Sequence, residues 1–190
     1  YARDPWNGVT RSLSGPIGEA GPTTNLPPAL FCRDGTVALF AWTQARWYRH
    51  VFAANATDAL CTNCAEPSVS ADGRWVAFRS GAGTGAPQDV YLRDTQSGVT
   101  RLVSVNVDGT GGGNADSATP LISGDGRMVV FSSRASNLVP GDTNEWTDVF
   151  VRDTVARATM LLSFNPQSGH AANRLSVVSA LGDDGRTVIL

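Results

Sequence analysis

The sequence contains no lysine, so arginine supplies all fifteen of its basic side chains. With 17 acidic residues the net charge is -2, which lacks the basic excess typical of nucleic-acid-binding domains. No apolar run approaches the roughly 18 residues of a membrane-spanning helix, and no signal-peptide pattern is present. The opening letters "YARD" read as the middle of a strand, so we expect further residues before Tyr1. A nucleic-acid partner and a helical membrane span are therefore not expected.

A twelve-residue phrase occurs twice, as "PSVSADGRWVAF" at 67–78 and as "PLISGDGRMVVF" at 120–131. Weaker echoes are "ALFCRDGTVALF" at 29–40 and "GDDGRTVIL" at 182–190. Hydrophobic residues make up 42% and charged residues 17% of the chain, as in globular proteins. Repetition at spacings of a few tens of residues indicates an architecture of repeated structural units.

Each copy predicts four strands. Asp-Gly between two apolar runs predicts a tight hairpin, and the following run is apolar on both faces, as in a buried strand. A third element, "DVYLRD" at 89–94 and "DVFVRD" at 148–153, is followed by a fourth. A four-stranded antiparallel sheet cannot bury both faces alone, so the units must stack, as blades do in a β-propeller.

The repeat register predicts an all-β chain without helices, in which 1–190 is a single propeller or propeller fragment. For the second copy we expect one antiparallel sheet formed by 69–70, 75–79, 89–93 and 100–105, with the first strand innermost. The predicted blades are a second half at 1–14, whole blades at 29–62, 67–105 and 120–164, and a first half at 177–190.

The two predicted half blades complement each other. We expect 188–190 to pair with a third strand of the "YARD" type, because unpaired backbone groups along a strand are unfavourable. That strand comes from the same chain, from a neighbouring copy through self-association, or from a missing remainder of the protein.

The phrase P-x-x-S-x-D-G-R-x-V-x-F followed by D-V-Y-x-R-D resembles the TolB-type, WD-repeat-like β-propeller repeat of bacterial envelope and secreted proteins. The stretch 132–153 resembles the long-loop variant of that repeat, and the resemblance covers nearly the whole chain. It implies a ring of roughly six to eight blades that serves as a non-catalytic platform for proteins or glycans. The four blade equivalents of this chain are fewer than such a ring needs.

The pair Cys61-x-x-Cys64 interrupts the repeat. A zinc site requires four ligands, and Ala65 stands where haem attachment requires histidine. Cys32 and Cys61 are expected on the innermost and outermost strands of one blade, three spacings of about 4.8 Å apart, beyond the roughly 7 Å limit for a disulfide. We therefore predict a Cys61–Cys64 disulfide, with two reduced thiols as the alternative. A disulfide suits an extracytoplasmic compartment.

The stretch "GDTNEWTD" at 141–148 places Asp142, Asn144 and Asp148 at spacings typical of oxygen ligands for calcium. It lacks the central glycine and the bidentate glutamate of the twelve-residue calcium loop. A solvated loop held by Asx turns is the alternative interpretation.

Aromatic residues concentrate in "AWTQARWYRHVF" at 41–52. Aromatic and arginine clusters are typical of protein-binding hot spots and of platforms on which sugars stack. Packing of these rings between blades is the alternative. The candidate ligand-binding residues are Trp42, Trp47, Tyr48, Arg49, His50 and, on another loop, Trp146; Trp6 is open to either interpretation.

No catalytic residues are assigned. The chain has two histidines, His50 and His170, and no G-x-S-x-G nucleophile motif. The predicted function is a non-catalytic module that binds a protein or a glycan, located in the periplasm or secreted, with calcium as the one candidate cofactor. The alternatives are a propeller lyase or hydrolase acting on carbohydrate, and the gating propeller of a serine peptidase.

Overall fold

The computed structural model describes residues 2–3, 10–11, 26–43, 46–81, 85–144, 146–164, 171 and 175–190, and its regular structure there consists of β-strands. Trp6 and His170 lie outside these residues. Within the described ranges there is no helix with the length and apolar character needed to cross a membrane. The strands are β1 (Ala2–Arg3), β2 (Thr10–Arg11), β3 (Leu30–Phe31), β4 (Val37–Thr43), β5 (Arg46–Val51), β6 (Ala56–Thr62), β7 (Cys64–Val69), β8 (Trp75–Gly81), β9 (Gln88–Asp94), β10 (Thr100–Leu102), β11 (Ser117–Ile122), β12 (Met128–Ser133), β13 (Asp148–Asp153), β14 (Ala158–Leu161), β15 (Ala180–Leu181) and β16 (Val188–Ile189).

The strands form three antiparallel four-stranded sheets, in each of which the strands lie side by side in chain order. We call them blade 1 (β3–β6), blade 2 (β7–β10) and blade 3 (β11–β14). Two further sheets have two strands each, β1 with β2 and β15 with β16. The all-β, four-stranded prediction is therefore confirmed, and blade 2 has the predicted strand order.

The first strands of successive blades lie next to each other, because β7 contacts both β3 and β11, and β11 contacts β15. The turns that follow these strands are joined by backbone hydrogen bonds. Ala71 N–H donates to the carbonyl of Gly124 at 2.9 Å, and Gly124 N–H donates to that of Asp183 at 2.8 Å. Asp183 also pairs with Arg33 of blade 1. The Asp-Gly turns therefore gather at one common region, and the first strands are the inner ones.

Two blades begin three residues earlier than the predicted boundaries at Pro67 and Pro120, because β7 starts at Cys64 and β11 at Ser117. The register of each strand shifts just before its proline. The preceding residues, Glu66 and Thr119, have positive φ values of 54° and 49°. A bulge lets the strand continue past a residue that cannot donate a ladder hydrogen bond, so proline does not mark the strand start.

The hydrophobic core lies between the sheets. Leu39 and Trp47 of blade 1 pack with Phe78 of blade 2 in one buried cluster. Leu92 of blade 2 packs with Phe131 of blade 3 in another. Central strands that bury both faces explain the continuous apolar runs "WVAF" and "MVVF".

The repeated phrase forms a hydrogen-bonded turn. In blade 2 the Ser70 hydroxyl donates to Asp72 Oδ1 at 2.6 Å and accepts the N–H of Trp75 at 2.9 Å. Asp72 Oδ1 also accepts the N–H of Arg74 at 3.0 Å, and Gly73 has a φ of 70°. Blade 3 repeats these bonds with Ser123 and Asp125. These aspartates hold the turn, as Asx side chains do.

The arginine of the phrase forms an ion pair with the end of the third strand. Arg74 Nη2 lies 2.9 Å from Asp94 Oδ2, and Arg127 Nη2 lies 2.6 Å from Asp153 Oδ2. The arginine bond holds the pKa of Asp94 well below its usual value and lowers the pKa of Asp153 to about 2. Each aspartate therefore carries its charge in a fixed position and also accepts turn N–H groups, as Asp94 does from Gln96 at 3.0 Å.

The structure pairs Cys61 with Cys64, with 6.0 Å between their Cα atoms. The bond joins the end of β6 to the start of β7, which are separated by Asn63 alone. Cys32 is unbonded and buried, and its thiol occupies the place of Ser70 in the turn, donating to Asp34 Oδ1 at 2.9 Å. Burial raises the pKa of the Cys32 thiol.

Labelling with a maleimide under denaturing, non-reducing conditions should modify one cysteine per chain, because only Cys32 is unbonded. Mass spectrometry counts the added groups. Without denaturant Cys32 should react slowly, since a buried thiol of raised pKa offers little thiolate. Three modified cysteines in the denatured, unreduced chain would show that the pair is not bonded.

The two terminal sheets remain separate. Within β15 and β16, Ala180 pairs with Ile189 and Leu181 with Val188, and between the described residues of β16 and β1 there is no pairing. Closure within the chain, one of the three sources expected for the third strand, is therefore not what the structure contains. Pairing with a neighbouring copy or with further residues of the protein stays a prediction.

Candidate ligand-binding site

The aromatic residues of β5 lie on both faces of blade 1, because successive strand residues point to opposite sides. Trp47 is 4% exposed and packs in the core shared with blade 2. Tyr48 and His50, on the opposite face, are each 3% exposed. Three of the six predicted binding residues are therefore buried within the described structure.

Apart from the packing of Trp47 against blade 2, this aromatic group makes the following contacts within blade 1. Tyr48 stacks on Phe40 with ring centroids 5.9 Å apart, and Trp42 meets Tyr48 edge-on at 6.4 Å. His50 Nδ1 lies 2.9 Å from the hydroxyl of Thr57. The guanidinium of Arg49 pairs with Asp58 at 3.2 Å. These contacts are those of a packed sheet surface.

Trp146 is 54% exposed, in contrast to the buried aromatic residues of blade 1. It lies in the loop before β13 of blade 3, so blade 2 separates it from the aromatic strand β5 of blade 1. The structure thus does not bring the six residues together. Their role in ligand binding stays a prediction, and Trp146 is the most accessible of them.

A cavity of about 420 Å³ lies between blades 2 and 3, a volume within the range of small-ligand sites. It is bounded by the outermost strand of blade 2 and by the turns at one end of blade 3. Four of its lining residues are arginines. The lining residues are Trp75, Leu92, Arg101, Leu102, Val103, Asp125, Gly126, Arg127, Arg152, Thr154, Val155 and Arg157. We call it the arginine pocket.

The arginine pocket has an excess of positive charge. Its one lining carboxylate is that of Asp125, which is engaged in its turn. Arg152 donates to the hydroxyl of Thr159 at 2.8 Å and is partly buried. Burial, and secondarily the positive charge of Arg157, lower the pKa of the Arg152 guanidinium. An anion in the pocket would relieve this repulsion.

Arg157 departs from the repeat. It occupies the position of Gly98 in blade 2, and the two residues have φ values of 57° and 74°. A side chain in this left-handed conformation costs roughly 1–2 kcal/mol relative to glycine. Comparison of the two copies in the sequence shows an arginine where the turn favours glycine. It does not reveal the pocket that Arg157 lines, because the neighbouring blade 2 forms part of that pocket.

The wall of the pocket nearest the turns is Trp75. One face of its ring carries the guanidinium of Arg74, whose Cζ lies 4.8 Å from the ring centroid. The backbone of Gly126 packs against the same side chain. Because both neighbours cover the indole, it offers little open surface for a sugar ring. Arginine charge combined with apolar side chains such as Leu102 and Val155 suits an anionic group carried on a peptide.

The described part of the chain contains no group of three or more His, Cys, Asp or Glu side chains close enough to hold a metal ion. The aspartates of the repeats are engaged in turns and ion pairs, as given above. This arrangement provides charge and hydrogen bonds for binding.

Solved structures similar to this chain include β-propellers. TolB from Acinetobacter baumannii is 15% identical, with a TM-score of 0.54 over 86% of this chain and 36% of TolB. The β-propeller domain of the Trilobed protease from Pyrococcus furiosus is 14% identical, with a TM-score of 0.53 over 71% of this chain and 40% of that one. The tricorn protease is 13% identical, with a TM-score of 0.57 over 98% of this chain and 18% of the protease.

The fold of this chain is therefore a β-propeller similar to that of TolB. Its sheets do not close a ring within the described residues, and the chain spans well under half the length of each of these proteins. No family model matches the sequence, and no curated protein matches it. At such low identity the similarity extends to the fold and not to the activity.

Proposed function

We propose that this chain is a non-catalytic β-propeller module that binds a protein partner, in the bacterial envelope or outside the cell. The partner presents carboxylates on an extended acidic segment, and the arginine pocket receives them. The observation that carries this proposal is the set of four arginines around one cavity between two blades.

A carboxylate fits this site better than a neutral group. Guanidinium groups form short, charge-assisted hydrogen bonds to carboxylates, often in pairs. Arg127 is already bound to Asp153, but Arg101 and Arg157 are exposed at the pocket. The charge of the partly buried Arg152, which Arg157 repels, adds further attraction for an anion.

A peptide is favoured over a glycan by the walls of the pocket. Sugar binding typically uses an open aromatic face, and the ring of Trp75 is covered by Arg74. The exposed Val155 is apolar and can pack against a side chain of the partner. Arginine next to apolar surface is typical of protein interfaces.

Two features support the extracytoplasmic location. The Cys61–Cys64 disulfide is stable in oxidising compartments and rare in the cytosol. The repeat phrase resembles that of envelope and secreted proteins, although the comparison of structures supports only the fold.

Arg157→Gly should weaken binding of a short fluorescein-labelled peptide of alternating glutamate and serine about tenfold. A hydrogen bond to a charged group contributes about 1.5–3 kcal/mol, and each 1.4 kcal/mol is a factor of ten. The variant should also be slightly more stable, because it restores the residue of the blade 2 turn. Fluorescence anisotropy measures the affinity, which should fall as salt rises.

Arg186→Ala is the control, because it removes one exposed arginine that lies in a turn outside the pocket. Its affinity for the peptide should stay unchanged. A peptide of alternating glutamine and serine should not bind. Tighter binding of oligogalacturonate than of the acidic peptide would indicate an acidic glycan as the partner instead of a protein. Equal losses of peptide affinity in Arg157→Gly and Arg186→Ala would contradict binding at the arginine pocket.

A further inference from the structure

Two carboxylates are buried together in blade 3. Asp142, in the loop between β12 and β13, is 7% exposed, and Asp148, the first residue of β13, is fully buried. Oδ1 of Asp142 and Oδ2 of Asp148 are both inaccessible to solvent, and neither accepts a hydrogen bond. An ionised carboxylate removed from water is strongly unfavourable unless a positive group compensates it.

The two carboxylates are close enough to repel each other. Burial, and secondarily the negative charge of Asp148, raise the pKa of Asp142. The arginine ion pairs of the described chain lie at other positions, such as Arg127 with Asp153. Within the described residues no histidine, cysteine or third carboxylate joins this pair, so a bound cation would supply the positive charge that the pair lacks there.

Comparison with blade 2 shows that one part of this arrangement is repeated in both blades and another part is found in blade 3. Asp89 and Asp148 occupy the same position, and each accepts a hydroxyl hydrogen bond at 2.6 Å, from Ser104 and Ser163 respectively. Each serine in turn accepts the N–H of the residue after the aspartate. Asp89 has no buried oxygen without a partner among the described atoms. Among the described residues, a buried second oxygen without a partner is therefore a feature of Asp148 in blade 3 and not of Asp89 in blade 2.

The loop supplies neutral oxygens beside the pair. Asn144 Oδ1 accepts the N–H of Trp146 at 2.7 Å, and an amide oxygen is a hydrogen-bond acceptor and a ligand for hard cations. Its backbone N–H donates to the Asp142 carboxylate, which fixes the loop around that side chain. Thr147 accepts the N–H of Ser176 at 2.8 Å, so the following segment covers the loop.

We propose that Asp142 and Asp148, together with Asn144, bind a calcium ion that holds the loop 142–148 on blade 3. The donor set consists of oxygen alone, which suits a hard cation, whereas zinc prefers nitrogen and sulfur ligands. Calcium accepts six to eight oxygens in flexible geometry, and backbone carbonyls and water complete its shell in irregular loops. Magnesium requires a stricter octahedron. The burial of both carboxylates favours this proposal over the alternative of a solvated loop.

The melting temperature of the chain, measured by calorimetry at neutral pH, should be higher in CaCl2 than in EDTA. At a hundredfold excess over Kd the expected rise is roughly 5–10 °C for a chain of this size. An equal concentration of MgCl2 should give a smaller rise. No difference between CaCl2 and EDTA, or a larger effect of magnesium, would overturn the proposal.

Asp142→Asn should abolish the calcium shift and should melt at a higher temperature than the unsubstituted chain in EDTA, because one of two repelling charges is removed. Asp89→Asn is the matched control and should retain the full shift, since its position in blade 2 lacks the second carboxylate. A calcium shift that persists in Asp142→Asn would contradict the site.

A second readout does not depend on stability. Terbium replaces calcium in oxygen sites, and Trp146 lies within the loop and can sensitise its luminescence. The unsubstituted chain should show this emission, calcium should displace it, and Asp142→Asn should lack it. If Asp142→Asn fails to fold, displacement by calcium in the unsubstituted chain decides the question, and its absence would refute the site.

Discussion

Gly126→Ala should lower the free energy of unfolding by about 2–5 kcal/mol. The backbone of Gly126 has a φ of 76°, and a side chain in this left-handed region costs roughly 1–2 kcal/mol. A Cβ atom there would also overlap the indole of Trp75, with 2.6 Å to its Cγ. Overpacking of this kind typically lowers the free energy of unfolding by a further 1–3 kcal/mol.

Gly35→Ala is the matched control, because Gly35 occupies the same turn position in blade 1 with a φ of 71°. Its Cβ would meet no atom within 4 Å among the described residues. The expected loss is therefore the roughly 1–2 kcal/mol of backbone strain alone. Urea denaturation followed by tryptophan fluorescence gives both values, and equal losses would show that the contact between blades contributes nothing.

The same close approach recurs in blade 2 and in the two-stranded sheet of β15 and β16. A Cβ on Gly73 would lie 2.7 Å from Cγ2 of Val37, and one on Gly185 would lie 2.8 Å from Cγ of Met128. Each glycine thus packs against the start of the second strand of the preceding blade. The Asp-Gly dipeptide therefore serves two purposes, the hairpin turn within a blade and the contact between blades.

The sequence was sufficient to predict the Asp-Gly turn within a blade but not the contact that its glycine makes with the neighbouring blade. Hairpin turns depend on neighbouring residues, so Asp72 and Gly73 predict theirs directly. The strand order of blade 2 follows from the same local signals, because sequential strands joined by short turns pair with each other. Which atoms of the next blade approach Gly73 depends on the stacking angle, about which a single blade carries no information.

The arginine pocket was missed for a related reason. Arg127 and Arg152 stand at positions where the other copies of the repeat also have arginine, and such recurrence indicates a role within the blade. Both do serve the blade, Arg127 through Asp153 and Arg152 through Thr159, but they also line a cavity completed by Arg101 of the neighbouring sheet. A residue with a scaffold role can thus contribute to a site, which comparison of internal copies does not reveal.

The loop at 141–148 is a site that the sequence did indicate, but without showing whether it is buried. The spacing of Asp142 and Asp148 indicated oxygen ligands but not their surroundings. Whether such carboxylates are solvated or buried is decided by the chain that covers them, here the segment after Leu175. The burial of these carboxylates is the observation on which the proposed calcium site rests, and this information is absent from the local sequence.

For the aromatic stretch of blade 1 the sequence left two interpretations open, ligand binding and packing between blades, and these can be tested directly. Hot-spot residues and core residues are both large and apolar, so composition does not distinguish them. Strand alternation places Trp47 and Tyr48 on opposite faces, but in a stack of sheets both faces can be buried. The exposed fractions of 4% for Trp47 and 54% for Trp146 give two tryptophans with opposite expected behaviour.

Trp47→Ala should lower the free energy of unfolding by about 3–5 kcal/mol, because it leaves a cavity between blades 1 and 2, where Leu39 and Phe78 pack against the indole. Trp146→Ala should change it by no more than about 0.5 kcal/mol, as is usual for exposed positions, provided both proteins are compared in EDTA. Urea denaturation measures the two values. A small loss for Trp47→Ala, accompanied by weaker binding of a protein or glycan partner, would instead make Trp47 a binding residue.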